Sequence, residues 1–332
     1  MLFAGVASIG AAAHNQAVQV PTGAFIAARL PTTSAHASTI AEDREGIVAA
    51  WFGGTREGAP DVGIWFSRLT NGTWTTPVEI ANGVQPDGPR FACYNPVLFV
   101  RTDGTLDLFY KVGRQPALWW GMRQHSTDGG RTWSRAERLP DGFLGPIKNK
   151  PVRLASGRII APSSTESPDA DAVWAVHFEL SDDNGATWTK VAPPAGATRI
   201  DAIQPSILTY PDGRLQALGR SRSSRVFETW SRDSGRTWSA LALTALPNPN
   251  SGLDAVTLRD GRQLIVFNDT TRGRTPLSVA VSRDGKTWER TAVLESGPGE
   301  FSYPAVIQAR DGTVHITYTW NRTNIRHVTV VP

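Results

Sequence analysis

Six times along the chain, a short run in which apolar and polar residues nearly alternate follows a glycine-bearing turn: IVAAWF (47–52), LDLFYK (106–111), RIIAPS (158–163), LQALGR (215–220), QLIVFN (263–268) and VHITYT (314–319). Alternation with a period of two is the signature of a β-strand with two unlike faces. The turns before these runs end at Gly46, Gly104, Gly157, Gly213, Gly261 and Gly312, most of them as Asp-Gly. Asp-Gly between such runs marks a hairpin, because the turn needs positive φ and glycine supplies it without a steric cost. The pattern predicts six hairpins, with each run as the second strand of its sheet.

A second punctuation falls between the hairpins. STDGGRTW (126–133), SDDNGATW (181–188), SRDSGRTW (231–238) and the shorter SRDGKTW (282–288) are near copies, and SRLTNGTW ending at Trp74 is a degraded one. The closing Trp residues, 74, 133, 188, 238 and 288, are 59, 55, 50 and 50 residues apart. A unit of that length cannot bury its faces alone, and its repetition is the signature of a propeller. In each copy the Ser and Asp can hold the turn backbone, the Gly takes the strained position and the Trp packs under a neighbouring hairpin. The copies are therefore structural staples, and the fold class expected is all-β, a six-bladed β-propeller. The first hairpin begins near residue 34, which leaves AVQVPTGAFIAARL (17–30) free to complete the last blade and protect its edge. Residues 15–332 are expected to form one propeller domain.

The composition agrees, with 12 Trp, 31 Gly and 23 Pro in 332 residues and 40% hydrophobic residues. The 34 basic and 30 acidic residues give a net charge of +4, but the basic ones are scattered. Nucleic acid calls for a clustered basic stripe, so no nucleic-acid partner is expected. The single Cys93 excludes an intrachain disulfide and reads as a small buried hydrophobe. The opening MLFAGVASIGAAAH, residues 1–14, has the apolar run and small-residue end of an export signal without its basic start. It is taken as a truncated signal segment, which points to a secreted or periplasmic protein. No other segment approaches the roughly 18 apolar residues of a membrane span. The six His residues are dispersed without ligand spacing. No metal and no organic cofactor is expected, and the protein is expected to be a monomer.

Four such boxes over six hairpins resemble the Asp-box sialidase superfamily, in its BNR-repeat-like branch, over nearly the whole chain. The resemblance implies a pocket at the axial mouth in which arginines hold a substrate carboxylate, an Asp acts as acid and base, and a Tyr nucleophile is activated by a Glu. Arginine suits the first task because its planar fork meets a carboxylate at two points. GRTPLSVAVSRDGKTW resembles the strand that delivers one clamp arginine and nominates Arg274; GRLQALGRSRSSR nominates Arg220. FSYPAVIQARDG puts Tyr303 in the nucleophile's place. WFGGTREGAPDVGIWFSR resembles the first-blade loop carrying the acid, which makes Asp61 that candidate and Arg56 a pocket arginine. Two positions depart from the pattern: SAHASTI places His36 where the family has an arginine, and AIQPSIL places Gln204 where it has the glutamate. An amide cannot take a proton from Tyr303.

A phenol with a pKa near 10 needs a base or strong electrostatic help at neutral pH. Glu57, Glu166, Glu179, His36 and His177 are the candidates for that help. Glu57 precedes Asp61 by four residues, so the two form either a carboxylate pair or a solvated acidic loop. GPIKNKP (145–151) offers Lys148, Asn149 and Lys150 as fixed donors for an anion or as an ordinary basic loop. In LPNPNSGLDA (246–255), Asn250 and Asp254 are either sugar contacts or loop caps. His177 and Glu179 share one strand face, as a base unit or as a buried pair inside the sheet.

These observations lead to an exo-acting glycoside hydrolase that releases a terminal acidic sugar of sialic or ulosonic type from a glycan partner. Two alternatives stand beside it. One is a polysaccharide lyase at a uronic acid, with the arginines or Lys148 and Lys150 neutralising the carboxylate and His36 and Tyr303 as base and acid. The other is a glycan-binding propeller without turnover.

Overall fold

A computed structural model describes residues 22–169 and 171–331. Six antiparallel sheets, each of four or five strands, form the blades of a β-propeller. Blade one comprises Ser34–Asp43, Gly46–Gly54 and Gly63–Thr70, with Thr73–Trp74 and Val78–Ala81 on its outer edge. Blade two comprises Ala92–Val100, Leu106–Gly113, Trp120–Ser126 and Glu137–Arg138; blade three Val152–Arg153, Ile159–Glu166, Trp174–Ser181 and Thr189–Val191. Blade four comprises Ala202–Thr209, Leu215–Ser221, Arg225–Ser231 and Ala242–Pro247; blade five Asp254–Thr257, Gln263–Asn268, Leu277–Ser282 and Glu289–Glu295. Blade six is built from Phe301–Gln308, Val314–Trp320 and Asn324–Val330, and Thr22–Phe25 pairs with its outer strand, Gly23 opposite Val328. Thr22–Phe25 thus completes the last blade, as the sequence pattern implies. The expected signal segment lies outside the described residues.

All six predicted second strands are present, and all six turn glycines have positive φ, from 83° at Gly213 to 125° at Gly46. The repeated boxes are turn staples. In the box of blade two, Ser126 Oγ donates to Asp128 Oδ1 at 2.7 Å and accepts from Gly130 N at 2.8 Å, while Thr132 donates to Asp128 from both N (2.9 Å) and Oγ1 (2.6 Å). This set of donors, Thr132 foremost, holds the Asp128 carboxyl far below the usual range. The stretch ending at Trp74 is different. Asn71 and Gly72 both have positive φ and form a two-residue hairpin, the turn type that matches strand twist.

Each closing Trp packs on the preceding blade. Trp133 meets Phe66 at 5.8 Å, Trp188 meets Phe109 at 6.4 Å, Trp238 stacks on Phe178 at 3.9 Å, and Trp74 meets His327 of blade six at 5.2 Å. The core accordingly lies between blades, and it joins apolar side chains of neighbouring sheets. Cys93 is fully buried within it.

Candidate functional site

One position repeats around the axis without repeating in residue type. Ala37, Asn95, Lys148, Gln204, Gly252 and Tyr303 each stand nine residues before the turn glycine of their blade. All but Gly252 have left-handed backbone, with φ of 52°, 41°, 67°, 57° and 52° in that order. In blades one, two, four and six the register of the inner strand shifts at this point, between His36 and Thr39, Tyr94 and Val97, Ile203 and Ser206, and Ser302 and Ala305. Bulges of this kind re-aim side chains, and here they act on one residue in each of those four blades. A Cβ on Gly252 would stand 2.9 Å from Lys148 Cε and 3.3 Å from Tyr303 Cδ2, so the sixth position has to be glycine.

Tyr303, the blade-six member of this ring, is 7% exposed. Its ring centroid is 4.2 Å from that of His36, and the guanidinium carbons of Arg220 and Arg274 each lie 5.4 Å from it. Arg220 is held between Tyr303 and Trp174, whose ring it approaches at 5.1 Å, and its Nη1 donates to Asn250 O at 3.2 Å. Arg274 donates to Glu300 Oε1 at 2.6 Å. Arg322 donates to the same Glu300 oxygen at 2.9 Å through Nε and to Glu57 through Nη1. Burial pushes the Glu300 carboxyl upward, but Arg274 and Arg322 outweigh it and hold the carboxyl below its usual value. His36 is buried, with Nδ1 2.9 Å from Thr319 Oγ1. Burial, reinforced by Arg322, Arg274, Arg220 and Lys148, holds its pKa well below the ordinary histidine value, so its imidazole is neutral. Among the side-chain atoms buried without a protein partner among the described residues are Gln204 Oε1, Arg220 Nε, Asn250 Oδ1, Ser251 Oγ and Trp174 Nε1. Buried polar groups normally have partners, so these unpartnered atoms are suited to a polar ligand.

Arg220, Arg274 and His36 are therefore gathered around Tyr303, while Gln204 holds the equivalent left-handed position in blade four. Arg322 and Glu300 were not anticipated. Arg322 sits in the Asn321-Arg322-Thr323 turn of blade six, where Asn321 and Arg322 have positive φ, and its carbonyl accepts from Ala35 N at 2.8 Å. That bond sets Arg322 beside His36, the position where the family pattern has an arginine. Nothing local in that turn points to blade one, and ring closure decides the neighbour.

Other expectations are corrected. Lys148, Asn149 and Lys150 are not an open donor loop, and Asp254 is a buried tie between blades. Lys148 Nζ, 5.9 Å from the Tyr303 ring, donates to Asn149 Oδ1 (2.8 Å), Leu253 O (2.7 Å) and Pro304 O (2.5 Å). Burial pushes its pKa down to about 7, against which three acceptors call for all three protons of the ammonium. Asn149 Nδ2 donates to Gln204 O and Pro205 O, and Lys150 pairs with Asp254 at 2.9 Å. Asp254, 2% exposed, also accepts from Ser206 Oγ and Val306 N. These residues tie blades three to six together as a buried floor. Asn250 fits the axial site, through its carbonyl on Arg220.

His177 and Glu179 form the buried pair, 3.1 Å apart, and Glu179 accepts from Leu144 N and Gly145 N. Its oxygens are committed in blade three, not to Tyr303. Glu166 is half-buried, its carboxyl raised by burial against the pull of Arg220. Arg56, Glu57 and Asp61 are exposed on the blade-one loop. Glu57 is paired with Arg322, and Arg56 takes part in no salt bridge among the described residues. Asp61 Oδ2 accepts from Thr55 N (2.8 Å) and Thr55 Oγ1, which holds its carboxyl below the usual range. A carboxylate so capped is not poised as an acid at neutral pH. Among the described residues no group of three or more His, Cys, Asp or Glu could hold a metal ion, and no helix is long and apolar enough to cross a membrane.

Comparison with known proteins adds an independent line. Residues 45–316 match the model of the BNR repeat-like domain. A sialidase from Paraclostridium sordellii is 27% identical over 234 residues, an alignment covering 58% of this chain and 56% of that one, so the match spans little more than half of the relative. Among solved structures, a protein of unknown function from Dyadobacter fermentans superposes with a TM-score of 0.76 at 20% identity, covering 92% of this chain and 97% of that one. A Hadza microbial sialidase gives 0.75 at 21% identity, covering 90% and 66%. The intramolecular trans-sialidase of Ruminococcus gnavus gives 0.69 at 15% identity, covering 90% and 95%. At these identities the structural likeness establishes the fold.

Proposed function

The chain belongs to the BNR repeat-like domain family, and on that footing we propose that it is a glycoside hydrolase of sialidase type that releases a terminal acidic sugar at the axial pocket around Tyr303. The observation that carries this reading is the placement of two guanidinium groups, Arg220 and Arg274, each 5.4 Å from the one phenol ring. Arg322, joined to Arg274 through Glu300, is the third cation of the set. A sugar carboxylate docked among them places its anomeric carbon beside Tyr303, and the orphaned Gln204, Asn250 and Ser251 groups suit the hydroxyls.

In this mechanism the Tyr303 oxygen bonds to the anomeric carbon as the bond to the leaving oxygen breaks, and the phenolic proton passes to the neutral imidazole of His36. His36 is a poor base while four cations surround it. The substrate carboxylate cancels part of that field, so the anionic substrate itself raises the proton affinity of the base. The proton for the leaving oxygen is assigned to Asp61, which requires its loop to release the Thr55 cap, turn over the mouth and take up a proton before the step. Water then attacks the anomeric carbon with Asp61 as base, and the departing Tyr303 phenolate recovers its proton from His36.

The test is incubation with a panel of acidic glycans, following free acidic sugar and the ultraviolet absorbance of unsaturated uronates. Release of the sugar without absorbance supports the hydrolase. A second reading, lyase action at a uronic acid, is favoured by the same His36–Tyr303 contact, which pairs a neutral base with a phenolic acid. It gives rising absorbance instead. Binding without either product leaves a glycan-binding propeller.

A further inference from the structure

Arg274, Glu300, Arg322 and Glu57 form a chain of alternating charges beside Tyr303. Arg274 and Arg322 both donate to Glu300 Oε1, at 2.6 Å and 2.9 Å, and Arg322 donates through Nη1 to Glu57 Oε2. Two guanidiniums are thus matched by two carboxylates. Glu300 is built into blade six, where its N donates to Asn321 Oδ1 at 2.9 Å and its carboxylate accepts from Ser302 Oγ at 3.1 Å. Glu57 comes from a different blade, on the loop between the strands Gly46–Gly54 and Gly63–Thr70, and its side chain is 43% exposed. It is the open end of the chain.

The loop that carries Glu57 is pinned at its ends. Thr33 Oγ1 donates to Thr55 O at 2.9 Å where the loop starts, and Arg90 Nη2 donates to Asp61 O at 3.0 Å where it finishes. Between these points Ala59 N donates to Arg56 O and Val62 N to Ala59 O, both at 3.0 Å, so the crown is made of tight turns bonded to themselves. Gly58, with a φ of 82°, lies against blade two, since a Cβ there would stand 3.4 Å from Tyr94 Oη. On the opposite side, Glu57 ties the crown to Arg322 of blade six. That pair is its only salt bridge among the described residues, and it ends on a group of the arginine clamp.

A single exposed ion pair is weak, whereas a carboxylate held by several guanidiniums makes strong charge-assisted bonds. An acidic sugar that reaches Arg274 and Arg322 therefore displaces Glu57, and the charge balance of the chain is unchanged because one carboxylate replaces another. A neutral sugar offers Arg322 no such exchange, and a ligand shifts a contact only through a difference in affinity. We propose that Glu57 is an internal occupant of the substrate-carboxylate site, a specificity residue that holds Arg322 until an acidic sugar takes its place. Its departure unties the loop that bears Asp61 four residues on, whose movement the proposed acid step requires. The proposal rests on the hydrolase reading for the role of the displacing acid.

The experiment follows backbone hydrogen exchange of the peptide spanning residues 55–62 by mass spectrometry, in the wild-type chain, Glu57→Gln and Arg322→Met, alone and with free sialic acid, glucuronic acid or lactose. Turnover of a sialoside is measured on the same samples. Without any sugar, both variants should exchange roughly two- to fivefold faster than wild type in this peptide, the range expected for loss of one exposed ion pair. In the wild-type chain an acidic sugar should produce the same acceleration and lactose none, and in Glu57→Gln the acid should add nothing further. Glu57→Gln should also lower KM for the sialoside by a similar factor, whereas damage to the loop would raise it. Equal exchange in wild type and Glu57→Gln, acceleration by lactose, or a KM that rises overturns the proposal even where sialosides are turned over. Acceleration by an acidic sugar that is absent in Glu57→Gln, in a chain that turns over no sialoside, supports the displaced carboxylate and defeats the hydrolase reading instead.

Discussion

The rings of His36 and Tyr303 stand 4.2 Å apart and tilted by 48°, although 267 positions separate them in the chain. The contact exists because blade one and blade six are neighbours only after the ring closes. It is held from both sides, His36 by Thr319 of blade six and Tyr303 by the bulge that gives it a φ of 52°. A neutral imidazole against a phenol, inside a ring of arginines, is the arrangement from which the proposed chemistry proceeds.

Replacing Tyr303 by Phe keeps the ring, its packing and its backbone and removes only the oxygen. The expected result is a kcat lower by roughly 10²–10⁴ with an unchanged melting temperature, the range associated with loss of a reacting or proton-transferring group. Steady-state kinetics and a thermal melt on the same sample check both halves.

Arg322 is predicted to act in binding. In Arg322→Met, Glu300 keeps its bond to Arg274, so the clamp loses one cation without leaving that carboxylate bare. KM for the acidic substrate should rise roughly tenfold, in line with about 1.5 kcal/mol for a charge-assisted contact, while kcat changes little. A variant that loses kcat alone contradicts the assignment.

Stability should fall in mild acid because of a second histidine contact, remote from the pocket. His315 Nδ1 and His327 Nε2 are 2.9 Å apart and both rings are buried. Burial, and secondarily His315, lowers the pKa of His327 from 6.5 to about 4, and burial also lowers that of His315 against the pull of Asp311 and Glu42. Between those two values the unfolded chain binds the proton and the folded one does not. The stabilisation is complete above pH 6.5 and is lost as pH falls toward 4, by roughly 3 kcal/mol for His327. Denaturant titrations across this range should show that slope, and His327→Gln should flatten it.

Trp238→Ala tests the role assigned to the repeated boxes. Its indole stacks on Phe178 of blade three at an interplanar angle of 13° and donates to Gly235 O at 3.1 Å. Removing it leaves a cavity between blades, and the expected cost is about 3–5 kcal/mol, read as a fall in the denaturation midpoint with the kcat of the surviving folded protein retained.

The frame of the molecule was legible because it is written in residue types. Asp-Gly turns, alternating runs and Ser-x-Asp boxes ending in Trp each have one physical solution, and Gly46, Gly104 and Trp238 sit where that solution requires. The axial ring was not legible in the same way, since Ala37, Asn95, Lys148, Gln204, Gly252 and Tyr303 share a backbone position and no side-chain chemistry. Lys-Asn-Lys at 148–150 has the look of a solvated basic loop, yet the left-handed backbone at Lys148 accompanies a side chain buried on three acceptors in the floor. Arg322 lies near the far end of the chain from His36, and nothing local in its turn points to blade one. Asp61 lies on an exposed loop where Thr55 caps its carboxylate, a local bond that its residue type does not announce.

The account centres on Tyr303 as the reacting group in a pocket for an acidic sugar. The most direct measurement is intact-protein and peptide mass spectrometry after exposure to a slowly turned-over fluorinated analogue of sialic acid. The account predicts a single added sugar on the peptide carrying Tyr303, absent in Tyr303→Phe. A protein that turns over sialosides yet carries no such adduct, or carries it on another residue, contradicts it.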